Sequence, residues 1–598
     1  MKKKTDKKVV DTPEKNGDGS SMREFVESIA IALVLAFLFK TFLAELYVIP
    51  TGSMAPTLYG RHKDVACPRC GFHYQVGASD ESRVSKYQVF RSTCLNCGFT
   101  MDYNDEKSAG RWHPSYSGDR ILVGKYPYHL AGPKRWDVAV FLYPGSARMN
   151  YIKRVVGLPG ETLRIWNGDI YTRPFVPESV EGASPEFQIA RKPPEKILAM
   201  MQAVYDNDCQ VPELRQVNFP SRWAGVTAEG QTAPAGSTGW TESPDGTEFQ
   251  FVPIEGNIES GQLAYRHFLP TWLDWEQLTA VPLTREMIEA KKPRLITDMV
   301  SYNTANEPGD YAPLPNALGE KSKLRPIPED YGIHWVGDLI VECTLDVHTR
   351  PQGGKFNVGL VKAGKTFWCN VDLETGEMEL TIPANPDAEG QNIPVEKGDF
   401  FTCRGRSPMN GVDIYRFRFA NVDNQLHVWV NDRLVTFDRP TTYRDLDVSR
   451  PQAADLVPVR IGCTRSEVRV SHLKLYRDIY YIAAQSGVSP LTDFPHYPQI
   501  PFVEGNQAGN PTVSDYLNFY CEPSLWEAFK SRQSRDFNLA NGQYFMMGDN
   551  SAASSDSRIW RSENYVDESL LVGEAYFVYW PHPWYRVLPN FPKFRRIH

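Results

Sequence analysis

The most apolar stretch of the chain lies near its N-terminus, where Phe25–Leu46 contains a long unbroken apolar run. A helix of about 20 predominantly apolar residues crosses a bilayer, and this stretch reaches that length only if Glu27 and Lys40 lie at the two interfaces. Lysines are dense before it and sparse after it, and an excess of basic residues marks the cytoplasmic side. We therefore predict a transmembrane helix over residues 25–46, with the N-terminus inside the cell and the rest of the chain outside. A cleaved secretory signal peptide is the alternative, although no clear A-x-A cleavage site follows.

Alternation of apolar and polar residues, with turn residues between the runs, characterises Ile333–Tyr481. Runs such as Tyr415–Ala420 and Gln425–Val430 have the period of two that is typical of half-buried strands. Many short strands without a long helix indicate a β-sandwich. The run Leu426–Phe437 also resembles a hairpin of the laminin-G/concanavalin-like jelly rolls, so we predict a jelly-roll sandwich over residues 326–485.

Length and composition narrow the class of protein. A chain of 598 residues is too long for one core, so three or four structural units are expected. The apolar content of 41% and the aromatic content of 12% are typical of folded domains. Because the net charge is −7 and basic residues concentrate at the two ends of the chain, general nucleic-acid binding is excluded.

Four of the ten cysteines form two Cys-x-x-Cys pairs, Cys67 with Cys70 and Cys94 with Cys97, each followed by glycine. Four thiolates from two such turns make a tetrahedral zinc site, and the glycine permits the tight turn that directs both sulfurs at one point. We predict a zinc ribbon over residues 62–101. The zinc would be structural, because four sulfurs leave no open coordination position. Two disulfides or a redox pair are the alternative on the extracytoplasmic side.

A proline-containing loop, Tyr47–Leu58, follows the apolar stretch directly. Its two prolines and one glycine exclude a helix and favour a stiff, extended segment with a turn. Such a loop can present the hydroxyl group of Ser53 at a surface. The pattern differs from the G-x-S-x-G turn of the α/β-hydrolases, because glycine flanks Ser53 on one side only. Taken alone, a Gly-Ser pair in a turn is usually structural.

This loop is the first of five segments that resemble, in the same order, the signatures of the type I signal peptidases. The five segments are Tyr47–Leu58, Gly118–Tyr128, Arg135–Pro144, Tyr151–Glu161 and Gly548–Arg558. The resemblance implies a membrane-bound serine endopeptidase that cleaves signal peptides from exported preproteins. It also implies a mainly β fold, in which a catalytic core of coiled sheets is assembled from both ends of the chain around the insertions. No cofactor for catalysis is implied.

The resemblance assigns the nucleophile to Ser53 and the general base to Lys153. An amine accepts a proton only when it is neutral, and burial in an apolar site lowers the pKa of a lysine by several units. Apolar residues flank Lys153 in the sequence. In a strand, Tyr151, Lys153 and Val155 share one face, so Lys153 can point inward while Arg154 points away.

Further roles follow from the same resemblance. Thr51 would offer its hydroxyl group to the oxyanion beside the backbone N–H of Ser53, and Ser554 would orient the lysine amine. Asp556 and Arg558 would pair and stabilise the site, and Asp549 would be structural. Shallow apolar pockets suited to small residues of a signal peptide would be formed by Ile49, Met54, Leu58, Tyr151 and Ile152, although ordinary core packing explains most of these residues equally well.

The late motif departs from the family pattern. Ser551, Ala552 and Ala553 stand where the family often has Arg-Asp-Asn. The change removes an ion pair near the site and leaves open how this loop is braced.

The predictions combine into one organisation of the chain. The predicted parts are a basic tail (1–24), the transmembrane helix (25–46), the first part of the catalytic core (47–175) with the ribbon inside it (62–101), a mixed insertion (176–325) with a helix over Glu195–Tyr205, the sandwich (326–485), a return segment (486–540) and the second part of the core (541–598). The expected partners are signal peptides of preproteins and the lipid bilayer, without nucleic acid, at the cytoplasmic membrane.

Two other functions remain open at this point. An inactive membrane-anchored protein that binds a ligand through the jelly roll is favoured by the large insertion and by the altered late motif. A self-cleaving Ser/Lys protease of the repressor type is the second, although such proteins are soluble and bind DNA, and the N-terminal anchor is against it.

Overall fold

The computed structural model is mainly β, which confirms the predicted fold class. It describes residues 18–81, 88–104, 110, 112–176, 185–227, 231–234, 236–254, 256, 259–280, 284–305, 328–383, 400–444, 449–483, 491–495, 513–561, 563–580, 583–584, 588–589 and 594–598.

The N-terminal helix spans Asp18–Leu38 and continues as a π-helical turn over Phe39–Leu43. Within it, Met22–Leu43 is the one helix in the described part of the chain that is long and apolar enough to cross a membrane, judged by length and composition. The predicted helix extended to residue 46. It ends earlier because Ala44–Val48 forms a strand that pairs with Arg120–Gly124. The candidate membrane span therefore passes into the first sheet without a linker.

Both ends of the chain contribute to an 8-stranded antiparallel sheet, called the terminal sheet below. In sheet order its strands are Ala44–Val48, Arg120–Gly124, Leu571–Trp580, Val138–Tyr143, Ser146–Gly157, Gln543–Met547 and Val566–Asp567, with Arg595–Arg596 beside Leu571–Trp580. A 4-stranded sheet of Gln188–Ile189, Asp169–Pro174, Glu161–Trp166 and Arg535–Asn538 lies next to it. Buried residues of the two sheets share one core, in which Leu163 and Phe537 meet Phe545.

A sandwich of one 8-stranded and one 7-stranded sheet forms most of the insertion. The first sheet consists of Trp240–Glu242, Phe249–Phe251, Val468–Arg477, Leu339–Val347, Ile414–Val422, Gln425–Val430 and Arg433–Leu434, with Gln202–Asp206 beside Val468–Arg477. The second consists of Trp223–Val226, Ser260–Tyr265, Val459–Thr464, Lys355–Lys362, Lys365–Asp372, Glu377–Ile382 and Phe401–Arg406. Alternate side chains enter the core between the sheets, as Cys343, Leu345 and Val347 do.

The start of the sandwich differs from the prediction. Strands from residues 202–265 belong to its two sheets, although this part of the chain was expected to be a separate mixed insertion. The predicted helix Glu195–Tyr205 is wrong in its second half. The helix spans Pro194–Met200, and Gln202–Asp206 is extended because it pairs with Val468–Arg477. Tertiary pairing overrides the local helical pattern there.

The remaining elements are short. The predicted ribbon contributes His73–Gly77 and His62–Ala66 to a 3-stranded sheet, which Ser115–Tyr116 completes, and it forms a hairpin of Arg91–Thr93 with Thr100–Asp102. Other helices are Tyr126–Ala131, Pro212–Gln216, Trp272–Ala280, Arg285–Glu289 and Val513–Phe519, and a last hairpin pairs Pro583–Trp584 with Leu588–Pro589. Turns of 3-10 helix occur at Ser301–Asn303, Pro328–Tyr331, Ala453–Leu456, Pro523–Ser531, Ser551–Ala553 and Glu568–Leu570.

A buried ion-pair cluster joins the sandwich to the chain segment that leads into it. The ammonium group of Lys192 lies 2.8 Å from a carboxylate oxygen of Asp423 and 2.7 Å from one of Asp478. A second lysine, Lys362, pairs with Asp338 in the same region. These side chains are almost fully buried, so each ammonium group depends on its carboxylates for stabilisation.

Candidate active site

The loop that carries Ser53 leaves the strand Ala44–Val48 and is fastened at both ends to Asp119. The backbone N–H of Ile49 donates to the Asp119 carbonyl oxygen (2.9 Å), and the N–H of Tyr59 donates to its carboxylate (3.0 Å). The residue before this aspartate, Gly118, leaves no room for a side chain, because a Cβ there would lie 1.9 Å from the Ile49 carbonyl oxygen. The loop is therefore pinned against the next motif, and Ser53 keeps 8% of its surface exposed.

Lys153 approaches Ser53 from the strand Ser146–Gly157. Its Nζ lies 2.6 Å from Ser53 Oγ and 3.1 Å from the Ile152 carbonyl oxygen, to which it donates. Burial lowers the pKa of Lys153 to about 8, because the charged form loses its hydration, while the more distant charges of Asp556 and Asp549 oppose this effect. The amine is therefore far more readily neutral near pH 8 than an ordinary lysine.

The neighbouring residue points to the opposite face of the same strand, as the alternation of side chains requires. Arg154 forms a two-pronged ion pair with Asp549, with distances of 2.7 and 2.6 Å, and neither side chain is exposed. The hydroxyl group of Thr57, from the Ser53 loop, donates to the same carboxylate. The Arg154–Asp549 pair thus connects the strand Ser146–Gly157, the late motif and the Ser53 loop.

Asn550 of the late motif contacts the Ser53 loop directly. Its backbone N–H donates to the Ser53 carbonyl oxygen (3.1 Å), and its side-chain amide donates to the Gly52 carbonyl oxygen (3.1 Å). Gly548 permits this approach, because a Cβ there would lie 2.3 Å from the Ser53 carbonyl oxygen. The carbonyl groups on both sides of the Ser53 N–H are therefore held by one residue.

The altered part of the late motif has its own hydrogen bonds. Arg558 pairs with Asp556 through two contacts of 2.8 Å and also donates to the Ser551 hydroxyl group (3.0 Å). The same hydroxyl group accepts from the backbone N–H of Ile482, at the end of the sandwich (2.9 Å). Ser551 thus connects the late motif to the insertion.

The other predicted site residues lie nearby in different surroundings. Thr51 is exposed beside the buried Ser53. Ser554 is 2% exposed, and its hydroxyl group has no hydrogen-bond partner in the described part of the chain, Lys153 included. Both roles stay predictions.

The predicted pocket residues divide into two sets. Ile49, Met54 and Leu58 lie in one buried core cluster with Ile152, which is only slightly exposed, so packing accounts for all four. Tyr151 is half-buried and stacks on Tyr143 with 4.6 Å between ring centroids. Their part in substrate binding stays a prediction.

The four predicted metal ligands come together in the ribbon. Cys67 Sγ lies 3.6 Å from Cys97 Sγ, Cys70 Sγ lies 3.7 Å from Cys94 Sγ, and all four sulfurs lie within 4.8 Å of one another. A zinc ion bound tetrahedrally at about 2.3 Å separates its sulfurs by about 3.8 Å. No disulfide joins these cysteines. The geometry fits a tetrahedral metal ion better than it fits two disulfides.

Sequence reasoning missed two residues that support the Ser53 loop, one directly and one through the other. Asn550 lies inside a motif that was singled out, but no role was assigned to it. Asn303, which pairs with Asn550, lies in the insertion and carries no signal in the sequence, because its position depends on how the long insertion returns to the terminal sheet.

Comparisons with known proteins agree with the motifs. The family described as "Signal peptidase, peptidase S26" matches residues 107–207 and 503–580, which include Lys153 and the late motif. "Signal peptidase I" of Pseudomonas aeruginosa is 48% identical over 59 residues, which is 8% of this chain and 21% of that protein. "Signal peptidase I" of Pseudomonas fluorescens is 30% identical over 141 residues, which is 24% of this chain and 34% of that protein. The chain thus spans about a third or less of the length of these two curated relatives.

Among solved structures, the carbohydrate binding module CBM66 from Bacillus subtilis aligns with 43% of this chain and 95% of its own, at 8% identity and a TM-score of 0.20. That score is too low to bear on the fold or the ligand of the sandwich. The sequence matches, in contrast, confirm the resemblance of this chain to the type I signal peptidases.

Proposed function

We propose that the protein is a membrane-bound serine endopeptidase that cleaves signal peptides from exported preproteins. The observation that carries the proposal is the 2.6 Å approach of Lys153 Nζ to Ser53 Oγ inside a buried site. A buried amine with a lowered pKa can act as a general base at moderate pH, whereas an ordinary surface lysine is protonated there. The sequence matches to signal peptidases supply the substrate class.

The mechanism begins with neutral Lys153. As Ser53 Oγ attacks the scissile carbonyl carbon, Lys153 Nζ takes the hydroxyl proton, and the carbonyl oxygen becomes an oxyanion. The backbone N–H of Ser53 and the hydroxyl group of Thr51 are the proposed donors to that oxyanion. Lys153 then passes the proton to the leaving amine as the C–N bond breaks, which leaves an ester on Ser53.

Deacylation repeats these steps with water as the nucleophile. Neutral Lys153 removes a proton from the water as its oxygen attacks the ester carbon, and the proton then goes to Ser53 Oγ as the ester bond breaks. The cleaved chain leaves with a new carboxylate, and both residues return to their starting state.

The N-terminal helix supports a position at the bilayer. The candidate span ends at Leu43, only ten residues before Ser53, and strand residues Leu46 and Val48 between them are exposed. A site this close to the membrane suits a substrate whose signal peptide is itself membrane-embedded. In this proposal the N-terminus lies in the cytoplasm and the peptidase outside, in line with the basic residues before the span.

We also propose that the four cysteines bind a structural zinc ion. The four thiolates leave no coordination position for a substrate or water, so the metal would stabilise the ribbon and take no part in the chemistry. Metal analysis of the purified full-length protein should find about one zinc per chain, and replacing Cys94 with serine should lower the zinc content. A full-length protein without bound metal would contradict this proposal.

Cleavage of a synthetic preprotein in detergent tests the main proposal. The wild-type protein should release the mature chain, while Ser53→Ala and Lys153→Ala, purified in the same way, should cut at least about a thousandfold more slowly. Lys355→Ala, which alters an exposed lysine of the sandwich, is the matched control and should cut normally. Absence of cleavage by the wild-type protein would favour the inactive binding protein instead, and equal cleavage by all four proteins would contradict the proposed roles of Ser53 and Lys153.

A further inference from the structure

Four consecutive residues of the insertion, Ser301–Thr304, contact both the Ser53 loop and the four-cysteine ribbon. We propose that Tyr302 and Asn303 are positioning residues for Ser53, and that this brace segment (Ser301–Thr304) makes the activity of the peptidase depend on the folded ribbon. The inference rests on the proposed function, because it concerns the geometry of the nucleophile.

Tyr302 supports the Ser53 loop through Gly52. A Cβ at Gly52 would lie 2.0 Å from Tyr302 Cε1, so the ring rests directly against this glycine. The ring also stacks on Tyr59 with 5.8 Å between centroids, and its hydroxyl group donates to the Arg61 carbonyl oxygen (3.3 Å). Tyr302 is 6% exposed. The peptide next to Ser53 is therefore held against a rigid aromatic surface that the insertion supplies.

Asn303 acts on the same loop through Asn550. The two side-chain amides exchange reciprocal hydrogen bonds, each of 2.7 Å. The Asn550 NH2 group that donates to the Asn303 amide oxygen also donates to the Gly52 carbonyl oxygen, so the pair holds the Asn550 side chain in place beside Gly52. Asn303 thus fixes the one residue that holds the carbonyl groups on both sides of the Ser53 N–H.

The outer residues of the brace segment bind the second cysteine turn of the ribbon. The Thr304 hydroxyl group accepts from the backbone N–H of Thr93 (2.8 Å). The Ser301 hydroxyl group accepts from the N–H of Leu95 (2.9 Å) and donates to the Thr93 carbonyl oxygen (2.8 Å). Leu95 lies between Cys94 and Cys97, so these bonds depend on the turn that the four sulfurs impose.

The first half of the ribbon meets the brace segment as well. A Cβ at Gly77, the last residue of the strand His73–Gly77, would lie 2.8 Å from Tyr302 Cε1. Tyr302 is therefore enclosed by Gly52 and Gly77 together. A ribbon that loses its cysteine geometry would release the ring and the Asn303–Asn550 pair, although no cysteine touches Ser53 or Lys153.

The insertion also supports the late motif where Ser551, Ala552 and Ala553 replace the family's Arg-Asp-Asn. Asn303 supports Asn550 from the insertion, and Ser551 binds Ile482 at the other end of the sandwich. The insertion thus reaches the late motif from two sides.

Preprotein cleavage by variants of Asn303 tests the inference. Misplacement of a reacting group by about 1 Å costs roughly a hundredfold in rate, so we expect Asn303→Ala to lower kcat by about ten- to a hundredfold. KM and the thermal midpoint should stay close to the wild-type values, because Asn303 is exposed and lies outside the core. Asn303→Asp keeps an acceptor for the Asn550 amide and should recover part of the loss. Asn410→Ala, an exposed asparagine of the sandwich, is the matched control.

Two further sets of variants test the Asn303–Asn550 pair and the Tyr302 ring separately. Asn550→Ala should lower kcat, and adding Asn303→Ala to it should cause little further loss, because the two residues act as one unit. Tyr302→Phe keeps the ring and should retain most activity, while Tyr302→Ala should not.

Removal of metal by EDTA should lower the kcat of the wild-type protein and lower that of the Tyr302→Ala, Asn303→Ala double variant much less. If the wild-type protein cleaves and Asn303→Ala cleaves at the same rate, the inference fails while the proposed function stands. Equal loss on chelation in wild type and double variant would overturn the link to the ribbon. If the wild-type protein does not cleave at all, the proposed function itself fails.

Discussion

Two buried lysines in different regions of the molecule show what a buried amine can do. Lys192, at the edge of the sandwich, lies within 2.8 Å of two carboxylates, and the pKa of Lys192 is raised well above its ordinary value because these charges outweigh its burial. Lys153, in the terminal sheet, has a serine hydroxyl group at 2.6 Å, and burial lowers its pKa to about 8. Burial alone therefore does not decide the charge of a lysine. The groups within reach of its amine decide whether it serves as a permanent cation or as a base.

The largest expected effect comes from replacing the lysine without a carboxylate partner. Lys153→Met should lower kcat/KM for preprotein cleavage by at least about a thousandfold, because Lys153 is the only hydrogen-bond partner that the described part of the chain offers to Ser53 Oγ. The thermal midpoint at pH 7 should nevertheless not fall. The folded-state pKa of Lys153 lies below its unfolded value, so the cost of burying this amine is fully present below pH 8 and fades as the pH rises towards 10.5. A lower midpoint for Lys153→Met at pH 7 would show that Lys153 stabilises the fold as Lys192 does.

Replacing Lys192, the lysine with two carboxylate partners, should lower the stability of the fold and leave kcat unchanged. Lys192→Met leaves Asp423 and Asp478 buried without their cation, and breaking a buried pair in this way costs about 3–5 kcal/mol. The protein that remains folded should keep its kcat. Thermal unfolding followed by circular dichroism, with exposed Lys355→Met as the control, measures the effect. An unchanged midpoint would mean that the buried ion pairs contribute no net stability.

A smaller effect on cleavage should come from the Asp556 carboxylate, whose charge acts on Lys153. The carboxylate of Asp556 raises the pKa of Lys153 against the effect of burial, and its partner Arg558 lowers it. Asp556→Asn removes the charge that raises the pKa of Lys153 and keeps the Arg558 charge that lowers it. The pH at which cleavage becomes half-maximal should therefore fall. The plateau rate should fall too, because Arg558 loses its carboxylate partner. A shift of the profile to higher pH would contradict this electrostatic account.

The site could be predicted from the sequence better than the fold around it. Ser53 and Lys153 could be singled out because each lies in a short motif, and the five motifs stand in the same order as in the family that they resemble. The structure brings the two side chains to hydrogen-bond distance across an interval of 100 residues, and their catalytic roles stay predictions. The cysteine cluster was predicted for a similar reason, since both turns are local. Residue roles that depend on a bound substrate, such as those of Thr51 and the pocket residues, stay predictions.

The contacts that escaped prediction all depend on long-range pairing. Gln202–Asp206 has a local helical pattern but forms a strand with Val468–Arg477. Asn303 lies in a segment without periodicity or motif, and only the return of the insertion places it against Asn550. Local propensity carries no information about partners that are more than two hundred residues away.

The pH dependence of kcat/KM for preprotein cleavage in detergent tests the central claim most directly. If neutral Lys153 is the base, kcat/KM should rise about tenfold per pH unit at low pH and level off with an apparent pKa near 8. The rate at which a serine-directed inhibitor labels Ser53 should follow the same curve. The protein should stay folded over the pH range in which the cleavage rate falls, as its thermal midpoint would show. A rate that is independent of pH between 6 and 9 would show that the amine beside Ser53 is not the base, and a rate that levels off only near pH 10.5 would show that burial does not lower its pKa.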